Sequence, residues 1–282
     1  MTALLPASRT ADVSTTAGAA QSVRLDDVER SFPLPQGRRD VLRGVELDIA
    51  AGEIVAVVGP SGCGKSTLLR LIGGLDAPTR GSIRLDGIGV ADVDERTAVA
   101  FQEPRLLPWR TIAQNVELGL PRGTARRAGR ERVAELLHLV GLEHAANQRP
   151  REVSGGMAQR ASLARALARN PGVLLLDEPF GALDALTRLR MHDLLLKIHA
   201  AEPTTILLVT HDVEEALYLA DRVLLLRTLG GSDDDESSIA RTVSVPGIRP
   251  RDRADRGLAD LRADLLEGLG VDTHHRITEE SR

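Results

Sequence analysis

Residues 59–67 read GPSGCGKST, a run of glycines, hydroxyl groups and one lysine that is suited to binding phosphate. The run matches the pattern G-x-x-x-x-G-K-[ST] and lies between a strand-like and a helix-like segment, which is the context that this pattern requires. Its glycines let backbone N–H groups wrap around phosphates, while Lys65 would reach the β- and γ-phosphates and Ser66 would ligate Mg²⁺. The predicted phosphate-binding residues are Gly59, Pro60, Ser61, Gly62, Cys63, Gly64, Lys65, Ser66 and Thr67.

Four more candidates stand at the ends of apolar, strand-like runs, the position at which open α/β sheets bind ligands. Asp177 and Glu178 end the run at 173–178, so Asp177 fits a second Mg²⁺-directed group and Glu178 a general base that polarises water. Gln102 ends another run, and its amide could bridge Mg²⁺ and the attacking water. His211 follows a third apolar run and would contact the γ-phosphate. The alternative for Asp177 and Glu178 is a helix cap. For Gln102 it is a plain polar strand end, and for His211 a structural histidine.

A second stretch, VSGGMAQR at 153–160, also has the composition of a phosphate site. Its serine and two glycines stand where a helix begins, and a helix N-terminus directs N–H groups and a positive dipole end at anions. Ser154 is predicted to be the N-cap residue of that helix. One nucleotide site does not need two phosphate-binding segments, so this stretch needs an explanation of its own.

The composition excludes several other function classes. With 282 residues and a 42% hydrophobic share, the chain can form one large α/β domain with appendages or two small domains. A net charge of −4 gives no general attraction to nucleic acid, and the single Cys63 excludes both an internal disulfide and a zinc-binding cysteine cluster. The N-terminus lacks the pattern of a secretory signal, and no apolar run approaches the roughly 18 residues of a membrane span. We therefore expect a soluble polypeptide of a reducing compartment.

One cation type dominates the sequence. Only Lys65 and Lys197 are lysines among the 36 basic residues, and all the others are arginine. Lysine carries a compact ammonium group, whereas arginine carries a wide planar fork. Lys65 therefore stands where a compact cation is required.

Strand-like and helix-like segments alternate from residue 22 to 228, which predicts a largely parallel sheet with helices on both faces. The apolar run IVAVV at 54–58 is typical of a strand buried on both faces. Asp212 and Glu215 are predicted to form a capping box at the start of a helix. One amphipathic helix is indicated by the helical spacing of Val133, Leu136, Leu137 and Val140. A final helix is indicated by Leu258, Leu261, Leu265 and Leu269.

Taken in order, these motifs resemble the ATP-binding cassette (ABC) family over residues 22–228. The loop of Lys65 resembles the family's Walker A motif, Asp177 and Glu178 its Walker B motif with the catalytic glutamate, and Gln102 and His211 its Q-loop and switch residues. The resemblance implies an α/β fold, a P-loop NTPase with a RecA-like core, an antiparallel β subdomain and a helical signature subdomain. The expected division is a disordered tail at 1–20, an ATPase domain at 21–228 with its helical subdomain at about 106–160, and a C-terminal extension at 229–282.

The resemblance also accounts for the second phosphate-binding stretch. In this family the signature motif does not contact the ATP of its own chain but caps the γ-phosphate of ATP held by a second subunit. Ser154, Gly155 and Gly156 are therefore expected to complete the site of a partner in a homodimer. Val153 and Met157 depart from the usual signature and leave the serine and glycine donors intact.

ATP and Mg²⁺ are the cofactors that the resemblance implies. It assigns an ATP contact to Asp184 of the D-loop sequence ALD, and it makes Phe32 the aromatic residue that stacks on adenine. Phe32 is alternatively a residue of the hydrophobic core.

Within the family, RLLPWR after Gln102 and GALDALTRL after Glu178 are most similar to importers of aliphatic sulfonates. This implies an ATPase that powers a bacterial importer from the cytoplasmic side of the plasma membrane, with two separate permease subunits and, indirectly, an extracytoplasmic solute-binding protein. Trp109 would anchor the permease's coupling helix, unless it is a core residue. Taurine, nitrate or another small solute stays open, and an ABC ATPase of DNA repair or translation is disfavoured because the cassette is single, without zinc cysteines. No nucleic-acid partner is expected.

Overall fold

The computed structural model describes residues 18–230 and 236–271, and these ranges contain ten strands and seven α-helices. The strands are β1 (Val23–Leu34), β2 (Gly37–Ile49), β3 (Ile54–Val58), β4 (Arg80–Leu85), β5 (Ile88–Gly89), β6 (Thr97–Phe101), β7 (Val173–Asp177), β8 (Thr205–Val209), β9 (Arg222–Leu226) and β10 (Ile239–Ser244). The helices are α1 (Lys65–Ile72), α2 (Ile112–Glu117), α3 (Arg126–Leu139), α4 (Gly155–Ala168), α5 (Ala185–Ala201), α6 (Val213–Leu219) and α7 (Arg256–Gly268). The predicted alternation is confirmed, and α2, β5 and β9 are additions to it.

Two sheets organise the described residues. The larger has the order β10-β9-β3-β8-β7-β6, in which only β10 runs antiparallel to its neighbour. The smaller, β2-β1-β4-β5, is entirely antiparallel. Parallel strands end at a common edge, so the residues that follow β3, β6, β7 and β8 are brought together there.

The larger sheet is the middle layer between two hydrophobic cores. All five residues of β3 are buried, as predicted, and their side chains alternate between the cores. Val55 and Val57 face the core shared with α1 and the antiparallel sheet. Ile54, Ala56 and Val58 face the core that contains the other helices. A strand enclosed in this way is a rigid base for the loop that follows it.

Helices α2, α3 and α4 pack together beside the sheet. The four residues predicted to form the apolar face of α3 are all buried: Val133, Leu136, Leu137 and Val140. Helix α2 begins at a capping box, in which Thr111 accepts a hydrogen bond from the Gln114 N–H and the Gln114 side chain accepts one from the Thr111 N–H. This cap supports a helix that is too short to show hydrophobic periodicity.

The C-terminal part of the described chain packs onto α6. Leu258 and Leu265 of α7 are buried, and Arg262 lies 3.0 Å from Glu214 of α6. The nearly buried guanidinium of Arg251 donates to the carbonyls of Leu217 and Tyr218 at the end of α6, both at 3.2 Å. These bonds satisfy carbonyls that a helix leaves unpaired at its end.

Parts of the predicted appendages lie outside the described residues. They are residues 1–17 of the tail expected at 1–20, and residues 231–235 and 272–282 of the extension. Within 18–230 and 236–271, no helix combines the length and apolar character that crossing a membrane requires.

Candidate active site

The loop between β3 and α1 has a shape that requires glycine at two points. A Cβ atom on Gly59 would lie 2.6 Å from the Leu226 carbonyl oxygen. Gly64 precedes α1 with φ of 104°, and a Cβ atom there would lie 2.7 Å from Cδ2 of Leu42. A side chain at either position would therefore displace the backbone that brings the loop's N–H groups together.

Lys65 is the first residue of α1, and its amine is held inside the loop. Its Nζ donates to the carbonyl oxygens of Gly59 at 2.8 Å and Pro60 at 3.0 Å, and only 8% of the residue is exposed. Both partners are uncharged, and no ion pair among the described residues involves the Lys65 ammonium. This charge lies at the N-terminus of α1, where the helix dipole also favours anions.

Two oxygen-bearing side chains meet where β7 ends. Ser66 Oγ donates to Asp177 Oδ1 at 3.0 Å, which joins the start of α1 to the last residue of the strand. Gln102 follows the adjacent strand β6, as predicted. Hydroxyl, carboxylate and amide oxygens are ligands that suit Mg²⁺.

Glu178 has an unusual backbone conformation with φ of 46°, which costs energy in a residue other than glycine. Its N–H donates to the Val209 carbonyl at 2.9 Å, so the turn is fixed to the neighbouring strand β8. The carboxylate Oε2 lies 3.4 Å from Nδ1 of His211. The predicted base and the predicted switch histidine are therefore adjacent.

Gly181 lies beside the side chains of Gln102 and His211 and the backbone carbonyl of Glu178. A Cβ atom on it would lie 3.3 Å from Gln102 Nε2 and 3.6 Å from His211 Cε1, and its N–H donates to the Glu178 carbonyl at 3.2 Å. Gln102 and His211, which are far apart in the sequence, thus meet at Gly181, and the Glu178 carboxylate lies beside His211.

A cleft of about 550 Å³ runs along the phosphate loop. The predicted residues that line it are Phe32, Ser61, Gly62, Gly64, Lys65, Ser66, Thr67 and Glu178. Phe32 is 36% exposed, with the Arg30 guanidinium 4.3 Å from its ring centroid, so it is not a core aromatic. Cys63 differs from its neighbours because its side chain is buried under the loop, and burial raises the pKa of its thiol.

The second phosphate-binding stretch lines a different cleft. Ser154 is the N-cap of α4, as predicted, and its Oγ accepts from the Met157 N–H at 3.3 Å. Ser154 and Gly156 line a cleft of about 580 Å³ together with Thr187 of α5. Asp184, the N-cap of α5, accepts from the Thr187 N–H at 3.0 Å, and hydrogen bonds from Thr187 lower the pKa of its carboxyl group. This cleft shares no described lining residue with the cleft of Lys65.

The comparisons with known proteins agree with this arrangement. Residues 42–181 match the family described as ABC transporter. "Aliphatic sulfonates import ATP-binding protein SsuB 2" of Burkholderia lata is 54% identical over 83% of this chain and 82% of its own. "Aliphatic sulfonates import ATP-binding protein SsuB 1" of Streptomyces avermitilis is 48% identical over 94% of this chain and 92% of its own. The chain belongs to the ABC transporter family.

Solved structures give the same result for the fold of this ABC cassette. One, titled "Dimeric structure of a post-hydrolysis state of the ATP-binding cassette MJ0796 bound to ADP and Pi", has a TM-score of 0.69 and 35% identity. The match spans 80% of this chain and 100% of the solved chain. The expected family, fold class and enzyme class, an ABC-type ATPase that binds ATP, are confirmed.

Three buried or half-buried polar side chains that the sequence does not predict hold the segment that begins at the end of β6. Gln159 of α4 donates to the Phe101 carbonyl at 3.1 Å. Arg165 of the same helix donates to the carbonyls of Pro104 and Arg105, both at 2.8 Å. The helix that begins at Ser154 is thereby joined to the segment that follows β6.

Asn115 of α2, which is fully buried, is the third of these side chains. Its Oδ1 accepts from the Leu107 N–H at 2.7 Å. Its Nδ2 lies 3.2, 3.3 and 2.9 Å from the carbonyl oxygens of Leu107, Arg110 and Thr111. Trp109, in the middle of this loop, is 69% exposed, so it is not a core residue.

A buried polar pair lies beneath the catalytic loops. His192 Nε2 of α5 and Glu215 Oε2 of α6 are 3.2 Å apart, and both side chains are 3% exposed. The His192 ring packs edge-on against Phe180, with ring centroids 5.2 Å apart. The predicted capping box at α6 is only half correct. Asp212 accepts from the Glu214 and Glu215 N–H groups, but the Glu215 side chain turns to His192 instead of back to the cap.

Proposed function

We propose that this chain is the ATP-hydrolysing subunit of a bacterial ABC importer for aliphatic sulfonates, acting through a separate permease. The observation that carries the proposal is its match to relatives named as aliphatic sulfonate import ATP-binding proteins, one over 94% of this chain and 92% of its own. Its own described chemistry is that of nucleotide hydrolysis, so the solute is inferred from these relatives. Taurine, nitrate or another small solute is the alternative.

We assign the nucleotide contacts from the cleft. Lys65 and the N–H groups of residues 59–67 bind the β- and γ-phosphates, and Phe32 stacks on adenine. Ser66, Asp177 and Gln102 would hold Mg²⁺. The described residues contain no group of three or more His, Cys, Asp or Glu side chains able to bind a metal by themselves, and Mg²⁺ sites of this kind are completed by substrate phosphates. Bound Mg²⁺ would neutralise charge on the phosphate oxygens.

Hydrolysis is assigned to the residues around Gly181. Glu178 accepts the proton of the attacking water, because its carboxylate is directed from a fixed turn at the end of β7. His211, 3.4 Å from that carboxylate, contacts the γ-phosphate and orients the base. Gln102 positions the water.

Each ATP is shared between two copies of the chain. Support comes from the separate clefts of Lys65 and Ser154 and from the dimeric cassette titled above. In this arrangement Ser154, Gly155 and Gly156 cap the γ-phosphate on Lys65 of the partner, and Asp184 lies beside the same shared site.

We retain the predicted division into an ATPase domain at 21–228, with its helical subdomain at about 106–160, and an extension at 229–282.

The exposed Trp109 is the proposed contact with the permease. Its loop is fixed by Asn115 and leaves the indole on the surface, which suits an aromatic anchor at an interface. Two permease subunits would bind the ATPase dimer at the cytoplasmic side of the plasma membrane, and a solute-binding protein would act through them.

The shared site is tested with Ser154→Arg in a Glu178→Gln background, which slows hydrolysis. A bulky cation at the signature should abolish the ATP-dependent dimer in size-exclusion chromatography and leave the ATP affinity of the monomer unchanged. Lys65→Ala is the control that loses ATP binding itself. Loss of ATP affinity in folded Ser154→Arg would mean that the signature binds the ATP of its own chain.

The transported solute is tested by growth. A strain lacking this chain should fail to use an alkanesulfonate as its sulfur source, and wild-type protein but not Glu178→Gln should restore growth. A defect confined to taurine or to nitrate would replace the proposed solute. Co-purification with DNA or ribosomes instead of a permease would favour the non-transport alternative.

A further inference from the structure

The hairpin of β1 and β2 places one cation beside the nucleotide cleft. Arg39 is paired directly with Phe32 across the two strands, and residues opposite each other in an antiparallel pair have their side chains on the same face. Arg39 lines the cleft of about 550 Å³ with Phe32 and the phosphate loop. Its Nη2 lies 3.8 Å from the position of a Cβ atom on Gly62. The guanidinium is therefore between the proposed adenine position and the phosphate loop.

Among the described residues Arg39 is unpaired, unlike Arg30 and Arg38 of the same hairpin. Arg30 is bound to Asp76 at 2.7 Å, and Arg38 to Asp40 at 3.1 Å. Among residues 18–230 and 236–271, Arg39 has no carboxylate within ion-pair distance and no hydrogen-bond partner. An exposed arginine without a partner is common, but here it faces a site built for an anion.

We propose that Arg39 is a further nucleotide-binding residue, whose guanidinium binds the phosphate chain from the hairpin side. The planar fork of arginine matches phosphate oxygens in a bidentate geometry. Lys65 approaches from the loop, so the two cations would enclose the phosphate chain, with Arg39 nearer to the base. Arg39 would then favour nucleotides that carry phosphates over adenosine. This inference rests on the ATP site proposed above.

The experiment compares Arg39→Ala with Arg38→Ala, an adjacent exposed arginine that is bound to Asp40 and does not line the nucleotide cleft. Binding of ATP, ADP and adenosine is measured by calorimetry and by competition with a fluorescent nucleotide. Arg39→Ala should weaken ATP and ADP about 5- to 10-fold and leave adenosine unchanged. Arg38→Ala should change all three by less than about twofold. Arg39→Gln, which keeps the length of the side chain, should behave like Arg39→Ala.

Three results would overturn the inference. They are unchanged ADP affinity in Arg39→Ala, an equal loss in Arg38→Ala, or an equal loss for adenosine, which would place Arg39 on the base. Lys65→Ala distinguishes a failure of the Arg39 proposal from a failure of the proposed ATP site. If Lys65→Ala abolishes ATP binding while Arg39→Ala does not weaken it, only the role of Arg39 fails. If wild-type protein and Lys65→Ala bind ATP equally, the proposed site itself fails.

Discussion

Replacing Asn115 with leucine should loosen the loop that carries Trp109. The amide of Asn115 accepts one hydrogen bond from Leu107 and has two hydrogens for three nearby carbonyls, so it forms about three effective bonds. Leucine has a similar volume and cannot make them. The Leu107 N–H would then lose a buried partner at a cost of about 1–2 kcal/mol, and two lost carbonyl bonds would add about 1 kcal/mol in total. The free energy of unfolding should fall by about 2–3 kcal/mol in total.

Urea denaturation measures this change. With a slope of about 3 kcal/mol per molar urea for a chain of this size, the midpoint should move down by about 0.7–1 M. Trp109 is the only tryptophan, so its fluorescence anisotropy reports on the loop directly. Asn147→Leu is the matched control, since Asn147 is exposed and the same replacement there should cost less than about 0.5 kcal/mol. A loss at Asn115 no larger than that of the control, with unchanged anisotropy, would refute the argument.

Three further predictions concern single groups. Glu178→Gln should preserve ATP binding but lower phosphate release by about 10²- to 10⁴-fold and accumulate the ATP-bound dimer; near-normal hydrolysis would exclude Glu178 as the base. Glu202 accepts two hydrogen bonds of 2.6 Å from Arg132, which lower its pKa, so its stabilisation is present above the ordinary carboxyl pKa and is lost as pH falls through the folded value. Glu202→Gln should therefore cost about 1 kcal/mol at pH 7 and progressively less as the pH is lowered below about 4.3 in urea titrations. Burial lowers the pKa of His199, whose ring lies 3.0 Å from the Gly52 carbonyl, so the unfolded chain takes up a proton below about pH 6.5 that the folded chain resists. Wild-type stability should fall from pH 7.5 to 5.5, and His199→Gln should reduce that fall.

The residues proposed to bind the nucleotide could be identified from the sequence because each belongs to a dense local pattern. The loop of Lys65 is specified by nine adjacent residues, and Asp177, Gln102 and His211 each end an apolar run. Parallel strands then bring these ends to one edge whatever the lengths of the connections. Helix α2 and strands β5 and β9 were missed because they have six, two and five residues, which is too short for a clear period.

The supporting side chains could not be read from the sequence. Asn115, Gln159 and Arg165 each bind backbone groups of another segment, so their partners depend on how the helices pack. The Glu215 side chain illustrates the same limit. Its spacing from Asp212 is correct for a local cap, but the fold provides His192 as a partner at 3.2 Å.

The two lysines make this chain unusually simple to label through its amines. The Lys65 amine is bound by two carbonyls and shielded inside its loop, whereas Lys197 is exposed on α5. An amine-reactive dye should therefore attach to one internal position, Lys197, in addition to the α-amino group at the N-terminus. Two copies labelled with donor and acceptor dyes would then report their separation by energy transfer, without any engineered cysteine.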